Sequence, residues 1–227
     1  MDEVGSTDQV NLVVQWASLA NRETRRLYVT KDSDKRNVTS PVIERMPAVD
    51  MGNYHELVNF IEWGVKNYPA KKYFVAVWNH GAGWHRLAGG QRDISFDDNT
   101  GNKISTEELG LAMGEAQKFT GEKIEIYGSD ACLMGMAEVA GEMKDSVKYF
   151  AGSQDLEPGE GWPYGPFIQR WTAKPEMDGR ELAKVLTEEY IKSYSGGVYG
   201  NKSVTFSAYD LSKYDRLTQS IASVTLS

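Results

Sequence analysis

The sequence predicts an α/β fold in which a mostly parallel sheet is covered by helices on both faces. Short apolar runs alternate along the chain with segments of helical period, the order that builds βαβ units. Two of the runs, Tyr73 to Trp78 (YFVAVW) and Ile124 to Tyr127 (IEIY), are nearly continuous in apolar character, as strands buried on both faces are. Between them Ser105 and Glu108 stand at the spacing of a capping box, a helix start.

Each element has its own signal. Val10 to Trp16 and Arg26 to Thr30 are β-branched and apolar runs separated by polar residues, read as two strands of a hairpin, with Lys31 to Arg36 as their solvated sequel. Tyr54, Leu57, Val58, Ile61 and Val65 recur at three and four positions, one face of a helix that Tyr68-Pro69 ends. After the strand at 73–78 comes a polar, glycine-rich loop to Asn102, then a helix from Ser105 to about Phe119. The strand at 124–127 is followed by a helical stretch, Met134 to Met143, and a strand, Val147 to Ala151. A loop with Gly159, Gly161, Pro163 and Gly165 precedes a helix over Asp178 to Tyr194, capped by Asp178 with Glu181. A strand at Val204 to Ala208 and a helix at Leu211 to Val224 complete the reading.

Length and composition narrow the function. The chain has 227 residues, 41% apolar and 25% charged, with a net charge of -7. These values suit one large domain, without repeat or linker. No basic run or patch favours nucleic acid, and no stretch nears the ~18 apolar residues of a membrane span. The N-terminus lacks a basic-then-apolar leader pattern. One cysteine, Cys132, rules out an intramolecular disulfide and a multi-cysteine zinc site.

Ligands of parallel sheets sit where strands end at their carboxyl edge. His80 follows one buried strand and Cys132 another, so on neighbouring strands imidazole and thiol would share a rim. A histidine that takes the thiol's proton turns a weak nucleophile into a thiolate. The backbone amides of Gly81 and Cys132 are candidate donors to the oxyanion of an acyl-transfer transition state. The competing reading is an inert core thiol. Cys132 follows His80 by 52 positions, near the ~50 that separates the pair in caspases, although DACLMG departs from the caspase Q-A-C-x-G. A serine hydrolase using Ser129 or Ser153 lacks a G-x-S-x-G elbow.

WNHGAGW (78–84), DISFDD (93–98), GSDACLMGMAEVA (128–140), EPGEGWPY (157–164) and FSAYDLS (206–212) together make the sequence closely resemble the clostripain family of cysteine peptidases. The resemblance implies a caspase-like three-layer α/β/α sandwich, a His80–Cys132 dyad, and cleavage of protein or peptide substrates after arginine or lysine. It also implies a secreted or cell-surface bacterial enzyme, often activated by its own cut between histidine and cysteine. Family members usually carry a further strand and helix ahead of the segment that starts here and continue past its last helix, so the peptidase domain at 1–227 reads as a fragment with an exposed sheet edge. The competing function is a catalytically silent caspase-like binding module.

Around this dyad, Asp130 either lines a pocket for a basic side chain or caps the helix beginning near Leu133. Ser153, Gln154, Asp155 and Glu157 either line its wall or form a solvated loop, and Glu160 is a further acid within reach. His55 and His85 read as a helix residue and a loop residue, and Trp84 and Trp162 flank the site. Of Arg86, Arg92 and Lys103, the basic positions between His80 and the helix at Ser105, Arg92 is the expected processing site. No cofactor or metal is expected. The DDNTGN run (97–102) offers calcium-like oxygens but lacks the EF-hand pattern and reads as a polar turn.

Overall fold

The computed structural model describes residues 1–20, 22–34, 36–83 and 94–225. The chain opens with an antiparallel sheet of β1 (Val13–Ser18), β2 (Glu23–Tyr28) and β3 (Val42–Pro47) in sequential order. The hairpin is present, with its first strand beginning three residues later and its second three residues earlier than read from the sequence, and β3 is an addition to it. VIERMP alternates intermediate with exposed residues and carries one charge pair, so neither apolarity nor turn chemistry marks it. Its Glu44 meets Arg26 of β2 at 3.0 Å. The Arg26 guanidinium also lies 5.0 Å from the centre of the Trp63 ring, a cation–π contact that ties this sheet to the first helix.

That helix, α1 (Tyr54–Asn67), starts on Asn53, whose side chain accepts from the His55 amide, and ends at Tyr68. It leads into β4 (Phe74–Trp78). α2 (Thr106–Thr120) opens on a complete capping box between Ser105 and Glu108, which satisfies two otherwise orphaned amides reciprocally. β5 (Ile124–Asp130) is buried along its whole length, as its apolar run predicts. α3 is shorter than the sequence suggested, Ala137–Met143. β6 (Val147–Gly152) follows. α4 (Tyr164–Ala173) is a helix the glycine-rich reading of this region missed; α5 (Gly179–Tyr194) lies where expected, with Asp178 accepting from the Glu181 amide.

Two short strands, β7 (Ser195–Gly197) and β8 (Gly200–Asn201), form a small hairpin. β9 (Ser207–Asp210) sits three residues later than read from the sequence and runs antiparallel. A 3-10 turn, Leu211–Lys213, then leads into α6 (Tyr214–Thr225).

The central sheet has the order β4-β5-β6-β9, with β4, β5 and β6 parallel. One apolar core joins Tyr127 and Phe150 of the sheet to Val58, Leu109, Met113 and Val139 of α1, α2 and α3. The other joins Ile126 and Ala151 to Phe167 and Ile168 of α4 and to Leu182 and Leu186 of α5. Helices on both faces make the three layers the sequence implied. Glu125 anchors the second layer: its carboxylate accepts from the Gly179 amide at 2.8 Å, at the N-terminus of α5, and pairs with Lys148 at 2.8 Å.

Candidate active site

The parallel register decides where the two reactive side chains meet the rim. Trp78 pairs with Asp130, and the Asn79 amide extends the ladder to the Asp130 carbonyl at 3.3 Å. His80 and Cys132 each lie two residues beyond this register pair. Both line a cleft of about 490 Å³, together with Trp78, Asp130, Glu157 and Gly161.

Glycines let the two exits close on each other. A Cβ at Gly81 would run into the Cys132 carbonyl, and one at Gly83 into the Leu133 carbonyl. Leu133 itself has φ +59°, a left-handed conformation that is uncommon for a residue with a side chain. Two hydrogen bonds hold that turn: the Leu133 amide donates to the Asp155 carbonyl at 3.1 Å and the Gly135 amide to the Ser153 carbonyl at 2.7 Å. On the other exit, the Asn79 carboxamide accepts from the amides of His80, at 2.7 Å, and Phe96, at 3.0 Å. Asn79 was not singled out from the sequence; its place between strand and histidine was the one available signal.

The Cys132 thiol is partly buried. The Glu157 amide donates to its Sγ at 3.2 Å, a contact suited to stabilising a thiolate. Among the described residues no hydrogen bond joins the thiol to the His80 imidazole.

Asp130, only 2% exposed, sits at the base of the cleft. Its Oδ2 accepts from the Tyr164 hydroxyl at 2.8 Å and the Trp162 amide at 3.3 Å. Gly161, at φ +62°, leaves room where a Cβ would crowd the Asp130 carboxylate. Burial pushes the Asp130 carboxyl up to about 6. Glu157 is pushed up to about 10 by burial and then by the charge of Asp130. No helix begins at Leu133: α3 starts at Ala137 behind Met136, which makes no side-chain cap. The helix-cap reading of Asp130 is therefore excluded.

The loop acids separate. Glu157 lines the cleft. Ser153 is fully buried beneath it, its hydroxyl bonded to the carbonyls of Thr205 and Asp155 at 2.8 and 2.9 Å. Asp155 is exposed, with Oδ1 accepting from the Leu156 amide at 2.7 Å. Neither lines the cleft as described, because the loop doubles back on Ser153 and turns the Asp155 side chain outward. Glu160 pairs with Lys202. Arg92, together with Trp84 and His85, lies outside the described residues.

The DDNTGN run is a turn built on a buried carboxylate. Asp97 Oδ1 accepts from the amides of Asn99 and Thr100, and Oδ2 from that of Met51, at 2.7, 3.3 and 2.8 Å.

Compared with known proteins, residues 1–226 match the clostripain family, peptidase C11. The chain belongs to the clostripain family. It is 32% identical over 130 residues to clostripain of Hathewaya histolytica, an alignment covering 53% of this chain and 24% of that protein. A secreted C11 cysteine protease from Bacteroides thetaiotaomicron, solved with an irreversible peptide inhibitor, has a TM-score of 0.74 and 23% identity, covering 95% of this chain and 60% of its own. An inactive zymogen C11 protease from Parabacteroides distasonis has a TM-score of 0.70 and 19% identity, covering 95% of this chain and 55% of its own. The two structures establish that this clostripain-family chain has the caspase-like fold. The matched family is one of peptidases, family C11. The stretch that matches spans about a quarter of the curated relative's length.

Proposed function

We propose that this chain carries the catalytic centre of a cysteine endopeptidase that cleaves protein or peptide substrates after arginine or lysine. The observation that supports it most is the register of β4 on β5, which sets His80 and Cys132 at equal steps past one residue pair. In this reading His80 takes the thiol proton and Cys132 attacks the scissile carbonyl. The amides of Gly81 and Cys132 receive the oxyanion. His80 then returns the proton to the leaving amine, and water releases the acyl group from the thioester. Asp130 and Glu157 hold the basic side chain of the substrate beside the thiol.

The absence of a thiol–imidazole hydrogen bond fits a resting state that tightens only around substrate, or a zymogen. Self-processing belongs to the same proposal, with Arg92 as the site, as does secretion; one structural neighbour is described as a zymogen and another as secreted. A binding module without turnover is the competing reading, favoured by that same missing hydrogen bond.

Fluorogenic peptides differing only in arginine or aspartate before the scissile bond test the proposal. Hydrolysis of the arginyl peptide alone, abolished in Cys132→Ala, is expected. No hydrolysis by the intact chain, before or after a limited cut, and no alkylation of Cys132 by a peptidyl arginine chloromethyl ketone would favour the binding module.

A further inference from the structure

Asp130 and Glu157 meet at the base of the cleft, and among the described residues no cation lies between them. Three of their four carboxyl oxygens, Asp130 Oδ1 and both oxygens of Glu157, are buried and make no hydrogen bond of ordinary geometry among the described residues, although the two carboxyls, and the Glu157 carboxyl and the Trp162 indole, lie near enough to interact directly. The indole N–H of Trp162, which is 1% exposed, and the hydroxyl of Tyr190, which is fully buried, are orphaned in the same way. Buried polar atoms without partners are destabilising, and a second carboxylate beside the first is more so unless one of them keeps a proton. An arrangement that is unsatisfied when empty is satisfied by a group that brings several donors and a positive charge.

Among the described residues, the groups around Glu157 offer no cation. From β5 it faces Asp130, from the turn after β5 the Cys132 thiol, from α4 Tyr164, and from α5 Tyr190 and Tyr194. Farther along its own loop, Glu160 is already held by Lys202.

We propose that Asp130 and Glu157 work as a proton-for-cation exchanger: the empty pocket keeps one proton on the acid pair, and a guanidinium entering it displaces that proton to solvent. This deepens the proposed function, on which it rests. It makes Glu157 a specificity-determining residue whose contribution grows with pH. The exchange balances as one proton out for one cation in, with both carboxylates ionised around the bound side chain. The upward displacement of both carboxyls by burial agrees in direction. Because a guanidinium stays charged above pH 12 whereas an ammonium begins to lose its proton near ~10, the device favours arginine over lysine as pH rises.

The test uses the full chain carrying Cys132→Ala, which cannot turn over, and two dye-labelled hexapeptides identical except for arginine or its neutral isostere citrulline. Binding is followed by fluorescence anisotropy from pH 6.5 to 9. The expected result is an arginine-to-citrulline affinity ratio that climbs with pH, up to roughly tenfold per unit, the slope of one released proton. Adding Glu157→Gln should flatten it. A ratio above one but level across pH, or a slope that survives Glu157→Gln, overturns the exchanger and leaves the basic pocket standing. No preference for arginine at any pH, absence of binding included, overturns the basic pocket itself. Should Glu157→Gln not fold, proton release counted with an indicator dye on the Cys132→Ala chain at pH 8 decides: close to one proton per bound arginyl peptide supports the exchange, none refutes it.

Discussion

The Glu157 amide donates to Cys132 Sγ at 3.2 Å, so one residue touches the thiol through its backbone and reaches the base of the pocket through its side chain. The loop after β6 thus contacts the thiol that β5 presents and carries the acid proposed to select the substrate.

The thiol and imidazole act as a unit in the proposed mechanism, so either loss should cost about as much as both. Cys132→Ala and His80→Ala are each expected to lower kcat for arginyl substrates by at least about a thousandfold. Intact-mass analysis should show a single alkylation in the parent chain and none in Cys132→Ala. Normal turnover in either variant would remove that residue from the chemistry.

Gly81 stands against the Cys132 carbonyl with no space for a side chain. Gly81→Ala must push the two strand exits apart. A displacement of about 1 Å at a reacting centre can cost ~100-fold in rate, while overpacking costs about 1 to 3 kcal/mol. The expected signature is a loss of kcat larger than the loss of Tm implies, compared by thermal melting and steady-state kinetics. Unchanged kcat would mean the exits need not touch.

Asp130→Asn keeps the shape and the contacts of Tyr164 and Trp162 within reach but removes the charge. Hydrogen bonds to charged groups contribute about 1.5 to 3 kcal/mol, so preference for an arginyl over a citrullinyl substrate should fall roughly 10- to 100-fold, read as the ratio of kcat/KM values. The buried site should tolerate the change, with Tm the same or higher. An unaltered ratio would assign the basic preference to another acid.

What the sequence revealed follows from what local chemistry can signal. The buried strands β4 and β5 were legible because apolar runs have few alternative readings, and the starts of α2 and α5 because Ser105 and Asp178 announce themselves by spacing. β3 was not, since its strand character comes from pairing with β2 and not from its own residues. α4 was hidden by Pro163, Gly165 and Pro166, which read as loop until Phe167, Ile168 and Trp171 find a core to face. In the site, His80 and Cys132 were nameable from residue type and position after a strand, whereas Asp130 owed its pocket reading chiefly to the family resemblance and Glu157 was one of two readings of an acidic loop. That Ser153 would be buried and Asp155 turned outward depends on how the loop after β6 folds back, which no periodicity records. The roles of Asn79, Gly161 and Tyr164 were not legible because they include contacts with residues distant in sequence, Phe96 for Asn79 and Asp130 for the other two.

The turn at 97–102 should be a stability element. Replacing the buried Asp97 by alanine leaves the amides of Met51, Asn99 and Thr100 without their acceptor, and each stranded donor costs about 1 kcal/mol or more. Asp97→Ala is expected to lower unfolding free energy by about 2 to 4 kcal/mol in urea titrations. A loss under about 0.5 kcal/mol would mean the turn holds without its carboxylate.

The acid pair should also write itself into the pH dependence of folding. Both carboxyls bind protons more tightly in the folded chain than in the unfolded one, Asp130 up to about 6 and Glu157 up to about 10. Raised acids contribute stability that is fully present below the unfolded values, near ~4, and is lost as pH climbs through the folded values. Where the folded state holds the extra proton, stability falls with pH by up to about 1.4 kcal/mol per unit for each proton. Glu157→Gln removes its share of that penalty. Measured by urea denaturation at several pH values from 5 to 9, the variant is therefore expected to gain on the parent steadily, the difference being smallest at pH 5 and largest at pH 9. The opposite trend, with the parent gaining as pH rises, would mean that Glu157 is ionised and stabilised by a partner in the folded chain, and the picture of two acids sharing a proton at the base of the cleft would have to be abandoned.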